Sequence, residues 1–323
     1  MEHGLKEGIR TAIIGCGRMG RERAAACRHL GAHLVLAYDN DPEQARRFAG
    51  EFSCDVLRDL QYLDWTSIDA IFVCIPPSSR GPVERAAIEH GIPVFMEKPV
   101  GLSVDQCMPT LNALKSKRVI TAVGYMNRYR DSIQQVRNVL RGKSVLGASC
   151  FWLGSPYKVS WWASQELSGG AVNEQTTHLV DLARYLLGEV TDVHAMFNPD
   201  SMKNQSTGSV SIGLRIETGI LCSILYSCLA ETKMISFRIF TPEACIHLDG
   251  WDFRIAGNPF GLFPTPPEVD KSAVFREEVA AFLDAIRSGS EERILCNLED
   301  ALKTQLVVDA IQKSIRSGRT EKV

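Results

Sequence analysis

The sequence predicts an α/β protein: a doubly wound parallel sheet in its first third, followed by a second domain on a largely antiparallel open sheet. Three observations predict this. Up to about residue 125, short continuously apolar runs alternate with helical patterns, as expected of parallel strands covered on both faces. A glycine-rich turn, G-C-G-R-M-G, joins the first such run to the first helix. Beyond residue 125, strand-length runs follow one another across short turns without long helices between them, which favours antiparallel pairing. The expected domains are 1–125 and 126–323, with the closing helices free to pack back on the first.

The elements follow in order. T-A-I-I-G-C-G (11–17) reads as a buried strand and Arg18–Leu30 as a helix. H-L-V-L-A-Y-D (33–39) is the next strand, and Asp41-Pro42 opens a helix with Asp as N-cap and Pro in the first turn. D-A-I-F-V-C-I-P-P (69–77), P-V-F-M-E-K-P (93–99) and V-I-T-A-V-G-Y (119–125) are further strands, with helical patterns at Pro82–His90 and Ser103–Lys117. Then come a helix at Asp131–Arg141, a strand-like run at Val145–Leu153, a Trp- and Gly-rich loop, and a helix at about Val172–Leu187. Val190 to about Ile255 reads as several strands, and helices at Phe275–Arg287 and Leu298–Arg316 close the chain.

Composition narrows the function. The 323 residues carry 36 Lys+Arg against 38 Asp+Glu, a net charge of −2, so no basic excess points to nucleic acid. The uncharged run Thr218–Ala230 has 13 residues, short of the roughly 20 a spanning helix needs. The start, M-E-H-G-L-K-E-G-I-R, lacks the basic and apolar regions of a signal peptide, and a cytoplasmic address is expected. Ten cysteines occur without a C-x-x-C pair or zinc-type spacing; several sit in apolar runs, as buried small hydrophobes do. No metal site is expected.

Three motifs carry chemistry. In G-C-G-R-M-G, Gly15 permits the tight turn, Gly17 lets the backbone approach a pyrophosphate, and Gly20 lets helix and strand pack closely. The helix that follows offers its N–H groups and positive dipole end to phosphates. Asp39, 19 positions after Gly20 at the end of the second strand, suits a ribose 2′-hydroxyl and would repel a 2′-phosphate. This Rossmann-type pattern predicts NAD over NADP, although Asp39 also suits a turn cap with Asn40 and Asp41. The second motif is Glu97-Lys98-Pro99 on the carboxyl edge of the sheet, where ligands of such sheets bind. The third is S-G-G-A-V-N-E-Q-T-T-H-L-V-D (168–181): Glu174 and His178 are four apart on a helix, with Asp181 three further on and within reach of the imidazole. Such a pair suits proton transfer, and equally an ordinary surface i,i+4 contact.

Together, G-C-G-R-M-G, the Pro-Pro turn, E-K-P, G-G-x-x-x-E-x-x-x-H and the closing F-x-x-x-V-x-x-F-x-x-A-I-R-S-G helix resemble the glucose–fructose oxidoreductase/inositol dehydrogenase family over nearly the whole chain. The resemblance implies a Rossmann-type first domain, a second α/β domain whose open sheet serves as an oligomer interface, and a homodimer or homotetramer. It implies that Lys98 sits beside the nicotinamide and the reacting hydroxyl, and that His178 is the general acid/base, with Glu174 where the family usually has Asp. Gly15, Gly17, Arg18, Met19, Gly20, Asp39, Asn40, Ile75, Pro76, Pro77, Ser78, Glu97 and Lys98 become candidate cofactor contacts. Tyr125, Asn127 and Arg128 match a substrate-lining stretch; Trp161 and Trp162 are candidates to stack on a sugar face, and Gln175 and Thr176 to bind hydroxyls. After the Pro-Pro turn, Ser78 replaces the family's Asn and Gly81 its His; Arg80 is unexpected, and is read as reaching a phosphate or solvent.

The expected reaction is hydride transfer between NAD and a secondary alcohol of a sugar, sugar derivative or cyclitol. Two alternatives follow from the same resemblance: NAD-dependent glycoside cleavage through a transient oxidation, and a non-catalytic ligand sensor.

Overall fold

The computed structural model describes residues 8–199, 208–256, 270 and 272–323. Residues 1–7 of the N-terminal reading, and the parts of the strand-rich region at 200–207, lie outside them. The elements in chain order are β1 (Arg10–Ile14), α1 (Arg18–His29), β2 (His33–Tyr38), α2 (Pro42–Phe52), β3 (Asp55–Val56), β4 (Ala70–Val73), α3 (Pro82–Glu89), β5 (Val94–Met96), α4 (Val104–Ser116) and β6 (Thr121–Val123). They continue with α5 (Asp131–Leu140), β7 (Gly147–Leu153), α6 (Gln165–Ser168), α7 (Thr177–Leu187), β8 (Val190–Pro199), β9 (Gly208–Ile216), β10 (Leu221–Ser227), β11 (Met234–Phe240), β12 (Cys245–Asp249) and β13 (Arg254–Ala256). The chain closes with α8 (Ala273–Ser288), α9 (Leu298–Ser317) and β14 (Glu321–Lys322).

The chain divides into two units. The first comprises 1–101, 105–126 and 272–302; the second comprises 102–104, 127–271 and 303–323. In the first, the sheet order is β3-β2-β1-β4-β5-β6, all parallel. The order reverses between β1 and β4, and the crevice at the carboxyl ends of those two strands is where open α/β sheets bind ligands. Local chemistry sets the elements as anticipated: Asp41 caps α2 by accepting from the Glu43 N–H at 2.9 Å, with Pro42 at the first turn. The two-residue edge strand β3 is too short to carry a pattern. Helix α8 packs here, Phe282 meeting Phe72 and Phe95 edge-on at 5.4 and 5.7 Å.

The second unit's sheet runs β13-β12-β11-β7-β10-β9-β8-β14. Every pairing is antiparallel except β7 with β10, which makes the sheet mixed. Its strands alternate buried and open positions, as in β9. The buried face, with Trp152, Ile212, Leu214, Ile224 and Phe237, packs with Ile133, Leu179, Leu182 and Ile311 from α5, α7 and α9. The opposite face exposes Met196, Leu221, Leu225, Met234 and Phe240. No helix of the described residues is long and apolar enough to cross a membrane.

Candidate active site

In the first unit, the three glycines divide the work by geometry. Gly15 has φ +97°, and a Cβ there would lie 2.5 Å from the Cys74 carbonyl oxygen. A Cβ on Gly20 would lie 2.0 Å from the Gly15 carbonyl oxygen, so strand exit and helix touch through backbone alone. Gly17 caps α1 without a side-chain bond, and a Cβ there would meet nothing within 4 Å. The first turn of α1 holds no acidic residue to occupy its N–H groups. Arg18 is exposed and Met19 half-buried beside this open face.

Asp39 ties the loop to the end of β2. It accepts from the Cys16 N–H at 2.8 Å, the Asp41 N–H at 2.9 Å and Gln44 Nε2 at 2.8 Å. The turn cap with Asp41 is therefore present. A carboxylate has about four acceptor sites, so about one remains for a ribose hydroxyl. Asn40 next to it is exposed. Burial raises the Cys16 thiol to about 12, with Asp39 adding to the shift, so this loop cysteine is an inert packing group.

The exits of β4 and β5 are cross-linked from inside. Ile75 and Pro76 are half-buried and Pro77 buried. Ser78 holds a buried hydroxyl oxygen with no hydrogen-bond partner. Arg80, read from sequence as reaching phosphate or solvent, does neither: it is buried, its Nε donating to the Ile75 carbonyl at 2.9 Å and its Nη1 to the Glu97 carbonyl. Glu97, expected at the cofactor, turns its carboxylate to Arg23 Nε at 2.6 Å. The same guanidinium donates to Glu278 at 2.7 Å and lies 4.5 Å over the Phe95 ring. Burial works against the charge on Arg23, but Glu278 and Glu97 outweigh it and raise its pKa above the ordinary value. Lys98, half-buried, follows directly on this anchored turn. Sequence reasoning missed Arg23; the available signal was its place on the inward stripe of α1 with Gly20, Ala24 and Cys27.

Tyr125 is buried in the first unit, packed with the β-strand core around Val123. In the second unit, Asn127 accepts from Arg130 Nε at 2.9 Å through Oδ1, while its buried Nδ2 has no hydrogen-bond partner. Arg128 is also buried; it donates to both carboxylate oxygens of Asp181 at 3.0 and 2.7 Å and lies 4.9 Å over the Tyr185 ring. Thr304 donates to Asp181 at 3.0 Å as well. The expected use of Asp181 on His178 thus gives way to a carboxylate held by Arg128 and Thr304.

The helix expected over 172–187 begins as a π-turn at Val172–Thr176 and becomes α-helical at Thr177. Such wide turns recur at functional sites. Asn173 anchors this one, donating to the Ser168 carbonyl at 2.9 Å and accepting from Gln305 at 3.0 Å. Glu174 accepts from Trp162 Nε1 at 3.3 Å and Gln175 Nε2 at 2.5 Å. The buried Gln175 Oε1 and Thr176 Oγ1 have no hydrogen-bond partner. Trp162 is 2% exposed, so it serves Glu174 and the core rather than offering an open face, while Trp161 is half-buried. His178 is buried, its ring stacked on Trp152 at 5.6 Å and 12°.

Residues 9–125 match the GFO/IDH/MocA oxidoreductase family, NAD-binding Rossmann fold, and residues 139–247 match the GFO/IDH/MocA C-terminal domain. The chain belongs to this family. This GFO/IDH/MocA oxidoreductase is 25% identical to the uncharacterized oxidoreductase YrbE of Bacillus subtilis, with 96% of this chain and 95% of that protein covered. It is 27% identical to inositol 2-dehydrogenase 4 of Saccharopolyspora erythraea over 67% of this chain and 66% of that one. In fold it is similar to levoglucosan dehydrogenase in complex with NADH, with TM-score 0.85, 20% identity, and 98% and 99% of the two chains covered. The open glycine cradle, the helix start without a side-chain cap and the orphaned Ser78 hydroxyl fit NAD, which Gly15, Gly17, Gly20, Asp39 and Ser78 would hold.

Proposed function

We infer that the protein is an NAD(H)-dependent dehydrogenase acting on a secondary alcohol of a sugar, sugar derivative or cyclitol. The observation that carries this reading is the reversal point of the parallel sheet: the glycine cradle and Ser78 follow its two central strands, and the internally clamped turn bearing Lys98 follows the next strand. NAD, when bound, supplies the acceptor for the carbinol hydride, and NADH the donor in reverse. Lys98 places positive charge where the alkoxide develops, which stabilises the transition state. His178 takes the hydroxyl proton in oxidation and returns it in reduction. Glu174, held by Trp162 and Gln175, keeps a carboxylate on the helix that carries His178.

The substrate class rests on chemistry and on relatives. Asn127, Gln175 and Thr176 present unpartnered polar atoms of both donor and acceptor type, as a polyol requires. Related proteins bear the names inositol 2-dehydrogenase and scyllo-inositol 2-dehydrogenase (NAD(+)). Arg128 contributes by holding Asp181. Arg18, Met19, Asn40, Ile75, Pro76 and Pro77 line the cofactor in this reading, Tyr125 and Trp161 the substrate. The exposed apolar face of the second sheet pairs with another copy to give a homodimer or homotetramer, and the enzyme works in the cytoplasm.

Incubation with NAD and a panel of inositols, aldoses and aryl glycosides tests the assignment. NADH absorbance growing with at least one polyol is the expected result. Release of aglycone without net NADH would replace it with glycoside cleavage, and saturable sugar binding without turnover would replace it with a sensor.

A further inference from the structure

The wall behind His178 is aromatic, and nothing in the motifs announces it. Trp152 sits on β7, paired in register with Tyr226 of β10 and Ile235 of β11. Its indole is buried and stacks nearly parallel on the His178 imidazole, with centroids 5.6 Å apart and planes 12° off. Lys233 Nζ, on the exposed turn before β11, lies 4.9 Å over the same indole. An imidazole has two soft torsions, and only one plane presents a ring nitrogen along a given line. A parallel stack on a strand-anchored indole removes the rotation that would swing that nitrogen away.

We propose that Trp152 is a positioning residue that holds the His178 imidazole in the plane from which it exchanges a proton with substrate, and biases its charge through the indole face. The proposal rests on the assignment of His178 as the acid/base. The indole face attracts an imidazolium, while the Lys233 ammonium over the same ring opposes it. Among the described residues, charged and titratable groups near this wall include Glu174 and Asp181 on the histidine's own helix, Arg128 bound to Asp181, and Tyr226, which has Cys228, Tyr157 and Glu174 about it. Burial, with Cys228, Tyr157 and Glu174 adding to it, raises the Tyr226 phenol, which stays neutral through the working range.

The test compares Trp152→Leu, Trp152→Phe, His178→Ala and the Trp152→Leu/His178→Ala double variant, with NAD affinity as control. Trp152→Leu is expected to lower kcat by about 10- to 100-fold, the scale of a misplaced catalytic group, with KM and NAD affinity changed less than about threefold. Trp152→Phe, which keeps a ring on the strand, should recover kcat to within about fivefold of wild type. Trp152→Leu should also move the acid limb of the kcat/KM profile to lower pH, since the imidazolium loses its aromatic face. In the His178→Ala background, Trp152→Leu should cost less than about twofold, because both changes remove one function. An equal loss in both backgrounds, or full turnover by Trp152→Leu, overturns the proposal. A His178→Ala enzyme with wild-type turnover removes His178 as the acid/base and overturns the proposal with it, while leaving the dehydrogenase reading in place with the proton on Lys98. If Trp152→Leu does not fold, NMR of Trp152→Phe decides. The His178 ring protons, assigned by their loss in His178→Ala, should move downfield as the larger indole ring current is lost, and unmoved signals overturn the stack.

Discussion

Replacing Gly17 and Gly20 by alanine separates a glycine that makes room for a ligand from one that makes room for its own chain. At Gly17, φ is −72°, ordinary for any residue, and an added methyl meets no atom within 4 Å. The folded state should lose no more than about 1 kcal/mol, the usual cost of alanine at a helix N-cap. At Gly20 the methyl would stand 2.0 Å from the Gly15 carbonyl oxygen. That oxygen has little freedom to retreat: Gly15 is at φ +97°, its N–H donates to the Tyr38 carbonyl at 2.8 Å, and Cys74 closes its other side. Overpacking against rigid backbone costs about 1–3 kcal/mol. At about 2–4 °C per kcal/mol for a unit of this size, the melting temperature of Gly20→Ala should fall by about 2–12 °C, while that of Gly17→Ala moves little. NAD affinity should order the variants differently. The methyl of Gly17→Ala occupies the space a pyrophosphate needs, and a tenfold or greater rise in Kd, about 1.4 kcal/mol, is expected from a variant that melts normally. Scanning fluorimetry without cofactor and fluorescence titration with NAD read the two quantities. Wild-type NAD affinity in Gly17→Ala would refute the placement of the phosphates on this open helix start.

Four further outcomes are expected. Lys98→Met and His178→Ala should each cut kcat by about 10²–10⁴-fold with NAD affinity retained, and the double variant should lose less than the product; near-wild-type kcat in His178→Ala would leave the proton to Lys98. NAD should bind more tightly than NADP, and Asp39→Ala should narrow the gap and weaken both, because it also frees the Cys16 amide that positions the glycine loop; tighter NADP binding by the wild type would remove Asp39 from cofactor choice. Leu225→Asp, on the exposed face of the second sheet, should shift the particle mass toward a monomer in size exclusion with light scattering, and a wild type already of 35.8 kDa at micromolar concentration would refute the interface. Burial works to raise the Glu189 pKa, but Arg184 and Lys303 outweigh it and hold the carboxyl below its ordinary range. Its contribution to stability is therefore full above the unfolded pKa near 4 and is lost as pH falls through the lowered folded value, so Glu189→Gln should flatten the acid side of a melting-temperature profile.

The parallel half of the fold was legible because its information is local. Apolar runs of strand length, Asp41-Pro42 at a helix start and the spacing of Gly15, Gly17 and Gly20 each act within a few residues. The strand-length runs across short turns between Val190 and Ile255 likewise pointed to antiparallel pairing, and the alternating burial along β9 is what that pairing produces. Spacing alone could not show where the charges point. Arg80 and Glu97 read as surface or cofactor groups because charged residues usually are; in the fold, Arg80 closes on a carbonyl 17 positions away and Arg23 meets Glu97 and Glu278 across 74 and 255 positions. The single parallel pairing of β7 with β10 and the widening of the helix start at Val172–Thr176 are of the same kind, set by partners that no local pattern names.

The residues alone carried the alternation of strands and helices in the first third, the glycine cradle, the acid at the end of the second strand and the presence of Lys98 and His178, since each depends on backbone freedom, capping or periodicity over short range. The tertiary structure decided what those groups touch. It turned Asp181 to Arg128, Glu174 to Trp162 and the His178 ring to Trp152, because a buried charge or ring takes the partner that packing brings to it, however far away in the chain that partner lies.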